Sequence, residues 1–160
     1  MSSPSLAKII LRSPAGWIAS VCGVGLMPRA PGTFGSLAAL VPWWLWLRHQ
    51  PLSVYLVVLF AGFALGVWAS GWVIEKIKIE DPSVVVWDEV IGQWIALMFA
   101  PPGLLWLLLG FVLFRIFDIA KPWPVSWADR KLHGGFGAMF DDVLAGLYAL
   151  AVLQAIHLFV

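Results

Sequence analysis

Charge is scarce in this sequence, and the places it avoids are as telling as its scarcity. Asp, Glu, Lys and Arg make up 12% of the 160 residues and hydrophobic residues 61%, whereas a soluble domain is about 25% charged. That shortage, with 11 Trp, argues against a water-soluble globule and for an integral membrane protein. Residues 30–47, 51–74, 90–114 and 143–160 contain no Asp, Glu, Lys or Arg. Cysteine is nearly missing: Cys22 has no partner for an internal disulfide or a spaced zinc site, and it reads as a packed small apolar residue. A net excess of charge is also lacking, at +1, so the overall balance gives no reason to expect nucleic acid. Strand-like alternation, internal repeats and Gly/Ser linkers are absent. The expectation is therefore an all-α, multi-helical membrane protein forming a single domain over residues 1–160. No cleavable signal develops, because Pro14 interrupts the stretch that follows Lys8 and Arg12. The N-terminus is expected to be retained.

Several chemistries are missing as well. No Lys follows the glycines near residues 23–36 in P-loop register, which disfavours nucleotide binding. Pro28, not Arg, stands at the sixth position after Cys22, so a Cys-x5-Arg thiolate mechanism is excluded. The sequence has neither an Asp-x-Asp pair for an aspartyl-phosphate route nor a Ser-Gly-His segment for a histidine nucleophile. A divalent cation held by carboxylates and activating water remains.

The carboxylates themselves are gathered. All nine acids fall within residues 75–89 and 115–142. Ions at bilayer depth cost several kcal/mol (about 2.5 or more each), so acids kept by so apolar a chain belong at a membrane surface, where they could hold a hard metal ion. Spanning a core about 30 Å thick takes roughly 20 helical residues, and only 51–74 meets that length without interruption. Pro31, Gly32 and Pro42 cut the first stretch and leave a short expected helix from Ser36 to Leu47. Pro101-Pro102-Gly103 breaks the third into two halves. A hairpin there returns both ends to one face, so the two acidic islands can meet; a straight kinked span would separate them. Lys and Arg cluster at these islands, which favours the cytoplasmic side, and the connection holding Arg48 is the candidate for the opposite face. Trp43, Trp44, Trp46, Trp87, Trp123 and Trp127 suit interfacial anchoring.

Individual motifs allow two readings each. Asp88-Glu89 and Asp141-Asp142 both precede apolar runs, where acids can complement a helix dipole or bind a ligand. Arg115, Asp118 and Lys121 lie three apart on a helix that must end near Pro122, either as a salt-bridge ladder or as an Asp flanked by phosphate-binding cations. His133 is a candidate general acid, and the glycines at 134–137 could present backbone amides to an oxyanion. Arg29 and Thr33 could belong to a phosphate loop; alternatively, Thr33 caps the next helix.

Four ordered motifs, Ala-Pro-Gly-Thr-Phe-Gly-Ser at 30–36, Trp-Asp-Glu-Val-Ile-Gly at 87–92, Phe-Arg-Ile-Phe-Asp-Ile-Ala-Lys-Pro-Trp-Pro at 114–124 and Gly-Gly-Phe-Gly-Ala-Met-Phe-Asp-Asp-Val-Leu-Ala-Gly at 134–146, resemble the phosphatidylglycerophosphatase A family. The resemblance implies a bacterial inner-membrane enzyme, with its active site facing the cytoplasm, that uses Mg²⁺ to dephosphorylate phosphatidylglycerophosphate. On that reading Asp88, Glu89, Asp118, Asp141 and Asp142 are the candidate metal ligands, and Asp88, Glu89, Asp118 and Asp142 carry catalysis. Arg29, Thr33, Arg115, Lys121, Arg130 and His133 would bind the phosphate, and Asp129 would orient Arg130. The alternative, a small transporter or ion-conducting protein, would place charges deep inside its spans.

Overall fold

A computed structural model describes residues 6–159. Among them the chain forms α1 (Leu6–Ile10), α2 (Pro14–Ala19), α3 (Pro31–Leu45), α4 (Leu52–Ile77), α5 (Trp87–Ala96), α6 (Leu104–Ala120), α7 (Val125–Lys131) and α8 (Gly134–Phe159), with short 3-10 turns at Val24–Leu26 and Leu47–His49 and no strand. Local chemistry sets several boundaries. Ser13 caps α2 by accepting the Gly16 N–H at 2.9 Å, with Pro14 at the first helical position, where its missing N–H costs nothing. Lys78 and Lys121 end α4 and α6 in the left-handed conformation, and Pro122 prevents α6 from continuing.

Helices α4 and α8 are 26 residues each, about 39 Å at 1.5 Å per residue, long and apolar enough to cross a bilayer. Less than a third of either apolar window is buried inside the bundle, so these are not the enclosed core helices of a soluble protein. Side chains such as Val57 and Phe60 project outward, 65% and 73% exposed.

The short helix α5 forms the centre, packed against α8, α3, α4 and α6. Ile91 and Leu97 are fully enclosed with Met139 and Leu153 of α8, and Phe114 of α6 is buried beside Ala145 and Ala149. Gly103, at φ +131°, helps the chain reverse after Pro101 and Pro102. The expected hairpin forms, bringing the start of α5 beside the end of α6.

Four expectations about local structure are corrected. Helix α3 begins at Pro31 instead of Ser36, and it continues through Pro42, since proline is accommodated at a first helical position and a single missing N–H near the far end removes only one bond. Helix α8 begins at Gly134, so the glycines at 134–137 are helical and Asp141-Asp142 lie two turns inside the helix. A Cβ on Gly135 would stand 2.0 Å from the Val67 carbonyl oxygen; the missing side chain lets α8 approach α4, and that packing outweighs glycine's poor helix propensity. Trp43 and Trp87 face inward. Trp43 Nε1 donates to Tyr55 Oη, whose hydroxyl donates to the Trp94 carbonyl, and Trp87 Nε1 donates to the Gly62 carbonyl; an indole N–H taken from water needs such partners. Trp46, Trp123 and Trp127 remain exposed. Cys22 is exposed at φ +57° instead of packed, because the turn after α2 projects it outward.

Candidate metal and phosphate site

Five helices meet around a polar cavity of about 600 Å³. Asp88 and Glu89 occupy the first turn of α5, which presents them where the 78–86 connection gives way to the buried helix. Asp141 and Asp142 come from α8, Arg115 and Asp118 from the last turns of α6, Asp129 and Arg130 from α7, and Ala30, Pro31 and Gly32 from the start of α3.

Oxygen atoms of Asp88, Glu89 and Asp142 all lie within 4.8 Å of one another. Glu89 Oε2 and Asp142 Oδ2 are buried and have no hydrogen-bond partner among the described residues, a costly arrangement for carboxylates unless something else neutralises them. Burial raises the Asp88 pKa well above the ordinary carboxylate value, and the negative charges of Glu89, Asp142 and Asp141 push it in the same direction. Glu89 is raised too, first by burial, although hydrogen bonding with Asp88 and the Arg115 charge work against the shift. Three carboxyl groups crowded together in this way could hold a hard cation, which takes oxygen ligands.

The remaining two candidate ligands are held by cations. Arg115 Nη1 meets Asp118 Oδ2 at 2.5 Å, lies 3.8 Å from Glu89 Oε1 and donates to Ser36 Oγ at 3.3 Å. Lys121 bridges α7 and α8, pairing with Asp129 and with Asp141 at 2.8 Å. Burial alone would lower the Lys121 pKa, but its two carboxylate partners outweigh that and raise it. Asp129 thus orients Lys121, not Arg130 as expected. Arg130 Nε instead donates to the Ser126 carbonyl within its own helix, because the left-handed turn at Lys121 brings that ammonium across to Asp129.

The cavity wall therefore includes Asp88, Glu89, Asp118, Asp141, Asp142, Arg115, Lys121, Arg130 and His133, but neither Arg29 nor Thr33. Arg29 is exposed before the helix. Thr33 is the third residue of α3 and caps nothing: the cap position belongs to Ala30, which makes no side-chain cap bond. Starting the helix at Pro31 puts the backbone of its first residues on the wall where a phosphate loop was expected. His133 lies at the rim, its side chain 61% exposed and 3.8 Å from Glu80.

Sequence reasoning missed two contributors. Ser36 supports Arg115, and Gly32 supplies space: a Cβ there would stand 2.0 Å from Glu89 Oε1. Both lie in the motif at 30–36, whose glycine was the available signal. Glu80 and Asp81 also line the cavity.

Comparison with known proteins identifies a family. The family model for phosphatidylglycerophosphatase A matches residues 17–157. The chain is 40% identical over 151 residues to phosphatidylglycerophosphatase A of Escherichia coli (strain K12), covering 94% of this chain and 87% of that protein. It is 39% identical over 153 residues to phosphatidylglycerophosphatase A of Haemophilus influenzae, covering 95% and 94%. A relative from Bacteroides thetaiotaomicron, 39% identical over 137 residues and covering 82% and 86%, is named, provisionally, a phosphatidylinositol-3-phosphatase. No solved structure matches the chain significantly.

Proposed function

Because the chain belongs to the phosphatidylglycerophosphatase A family of phosphatases, we propose that it hydrolyses the terminal phosphomonoester of phosphatidylglycerophosphate with Mg²⁺, giving phosphatidylglycerol and inorganic phosphate in phospholipid synthesis. The observation that carries this reading is the cluster of Asp88, Glu89 and Asp142, two of whose buried oxygens lack partners, in a cavity lined by cations. Mg²⁺ takes six oxygens and retains waters, so a few carboxylates completed by substrate phosphate suit it. These three residues would hold the ion, while Asp118 and Asp141 line the same cavity paired with Arg115 and Lys121. Once bound, the ion would polarise a phosphoryl oxygen and lower the pKa of a water.

The chain's own residues supply the rest. Arg115, fixed by Asp118 and Ser36, presents its guanidinium to phosphate oxygens, and Lys121, held between Asp129 and Asp141, offers a second positive charge. Such fixed charges matter because phosphoryl transfer depends on positioning and electrostatic stabilisation. A carboxylate of the cluster accepts the proton of the attacking water. Arg130 and His133 receive the headgroup at the rim, while the acyl chains remain in the bilayer.

The same reading places the protein in a bacterial inner membrane with the cavity facing the cytoplasm. Lys76, Lys78, Arg115, Lys121, Arg130 and Lys131 cluster at the cavity end, and Arg48 stands past the far end of α3, the asymmetry expected of cytoplasmic and external faces.

The test is phosphate release from phosphatidylglycerophosphate in mixed micelles with Mg²⁺ and with EDTA. Asp88→Asn and Asp142→Asn should each lose at least about 100-fold in rate, the order expected from removing about 3 kcal/mol of transition-state stabilisation. Release unaffected by EDTA would sink the metal assignment. Phosphatidylinositol 3-phosphate belongs in the same assay, and faster release from it would reassign the substrate.

A further inference from the structure

Tyr148 of α8 is absent from the cavity wall, yet it grips the segment that delivers Lys121 to that wall. Its hydroxyl donates to the Trp123 carbonyl at 2.9 Å, and its ring stacks on Phe117 with centroids 5.3 Å apart and planes inclined by 22°. These two contacts bracket Lys121. Phe117 stands four residues before it, with a carbonyl that accepts the Lys121 N–H at 2.9 Å, and Trp123 stands two residues after it. The backbone of Lys121, at φ +43°, lies in the left-handed region, which a residue with a Cβ enters at a cost and keeps where its surroundings hold it. Tyr148 supplies such a hold from a neighbouring helix.

Tyr148 follows Asp141 by seven residues, or two helical turns, so both lie on one face of α8. Ala145 stands between them, buried against Phe114 and Val125. Along that face α8 holds the 117–125 segment from end to end: Asp141 takes the Lys121 ammonium at 2.8 Å, Ala145 packs against the flanking apolar side chains, and Tyr148 fixes the turn itself. We propose that Tyr148 is a positioning residue, which sets where the Lys121 ammonium stands in the cavity by clamping the backbone on either side of it. The proposal rests on the lipid-phosphatase reading above, in which Lys121 offers a positive charge to the phosphate. Because Tyr148 does not reach the cavity, its effect on the reaction passes through Lys121.

Tyr148→Phe keeps the stacked ring and removes only the hydroxyl, so it tests the clamp without emptying the packing around it. The first measurement needs neither metal nor substrate: the full chain in nanodiscs is treated with an amine-acetylating reagent, and mass spectrometry follows each lysine. Lys121 should be acetylated about three- to ten-fold faster in Tyr148→Phe than in wild type, the range that one intramolecular hydrogen bond supports, while the exposed Lys131 is unchanged. The second measurement is phosphate release from phosphatidylglycerophosphate. It should fall by about the same three- to ten-fold in Tyr148→Phe, and adding Tyr148→Phe to Lys121→Met should lower it no further. A role confined to holding the helices together would instead lower both backgrounds equally, and that result, or Lys121 labelling that Tyr148→Phe leaves unchanged, would overturn the proposal. Faster Lys121 labelling with no phosphate release from wild type would keep the clamp and overturn the substrate assignment; normal wild-type release that Tyr148→Phe does not alter would do the reverse.

Discussion

Replacing Gly32 with alanine perturbs the site without altering a single charge. A Cβ at this position would stand 2.0 Å from Glu89 Oε1 and 3.0 Å from the carboxyl carbon, and ordinary contact begins at 3.4 Å. Moving that oxygen from 2.0 Å to 3.4 Å requires the Glu89 carboxylate to withdraw by about 1.4 Å. The atoms that must move terminate a flexible side chain, so the fold can absorb the change. Alanine gains about 0.5–1 kcal/mol over glycine inside a helix, and an off-rotamer Glu89 costs about 0.5–1.5 kcal/mol, leaving stability altered by about 1 kcal/mol or less. Catalysis has no such tolerance. Displacement of a positioned group by about 1 Å can cost about 100-fold in rate, equivalent to about 2.7 kcal/mol. The expected result is a metal-free Tm near that of wild type, a weaker Mg²⁺ response and a large loss of phosphate release. Shortening the neighbour with Glu89→Asp in the Gly32→Ala background should relieve the overlap and recover part of the activity, a non-additive pairing expected of residues in contact. Wild-type activity for Gly32→Ala at every Mg²⁺ concentration would refute the proposition that Glu89 must remain where α3 holds it.

The metal-free protein should lose stability as pH rises from about 4, because Asp88 and Glu89 hold their protons more tightly folded than unfolded; Mg²⁺ should restore Tm, with a larger increment at higher pH, and a flat metal-free profile would contradict the crowded-carboxylate picture. Lys121→Met should release Asp129 and Asp141 and lower activity by about 10- to 100-fold, as expected when groups orienting metal ligands are removed; steady-state rates against Mg²⁺ concentration check it. In Gly135→Ala the clash is with the Val67 backbone, so about 1–3 kcal/mol of stability should be lost, visible as a lower Tm while the KM of the folded fraction stays constant.

The hairpin and the meeting of the acidic islands could be read from the chain because both follow from local rules. Pro101, Pro102 and Gly103 interrupt an apolar run too firmly to ignore, and ions avoid hydrocarbon wherever they stand in sequence. Partnerships around the site were harder to read. Arg115, Asp118 and Lys121 look like one ladder, and half of it exists: Arg115 does pair with Asp118. Lys121, however, adopts a left-handed backbone and reaches Asp129 and Asp141, eight and twenty residues away. The glycines at 134–137 look like a loop from their intrinsic preferences. Contact with α4 makes them helical and carries Asp141-Asp142 two turns inside α8.

Composition and spacing by themselves determined that this is an apolar, all-helical chain whose acids gather at the ends of its uncharged runs, since burying ions or unpaired backbone in lipid is prohibitive at any position. Tertiary structure decided which of those acids crowd together with buried oxygens left unpartnered and which are held chiefly by cations. That division depends on distances between α3, α5, α6, α7 and α8, and a spacing of a few ångströms between helices has no counterpart in the order of residues along any one of them.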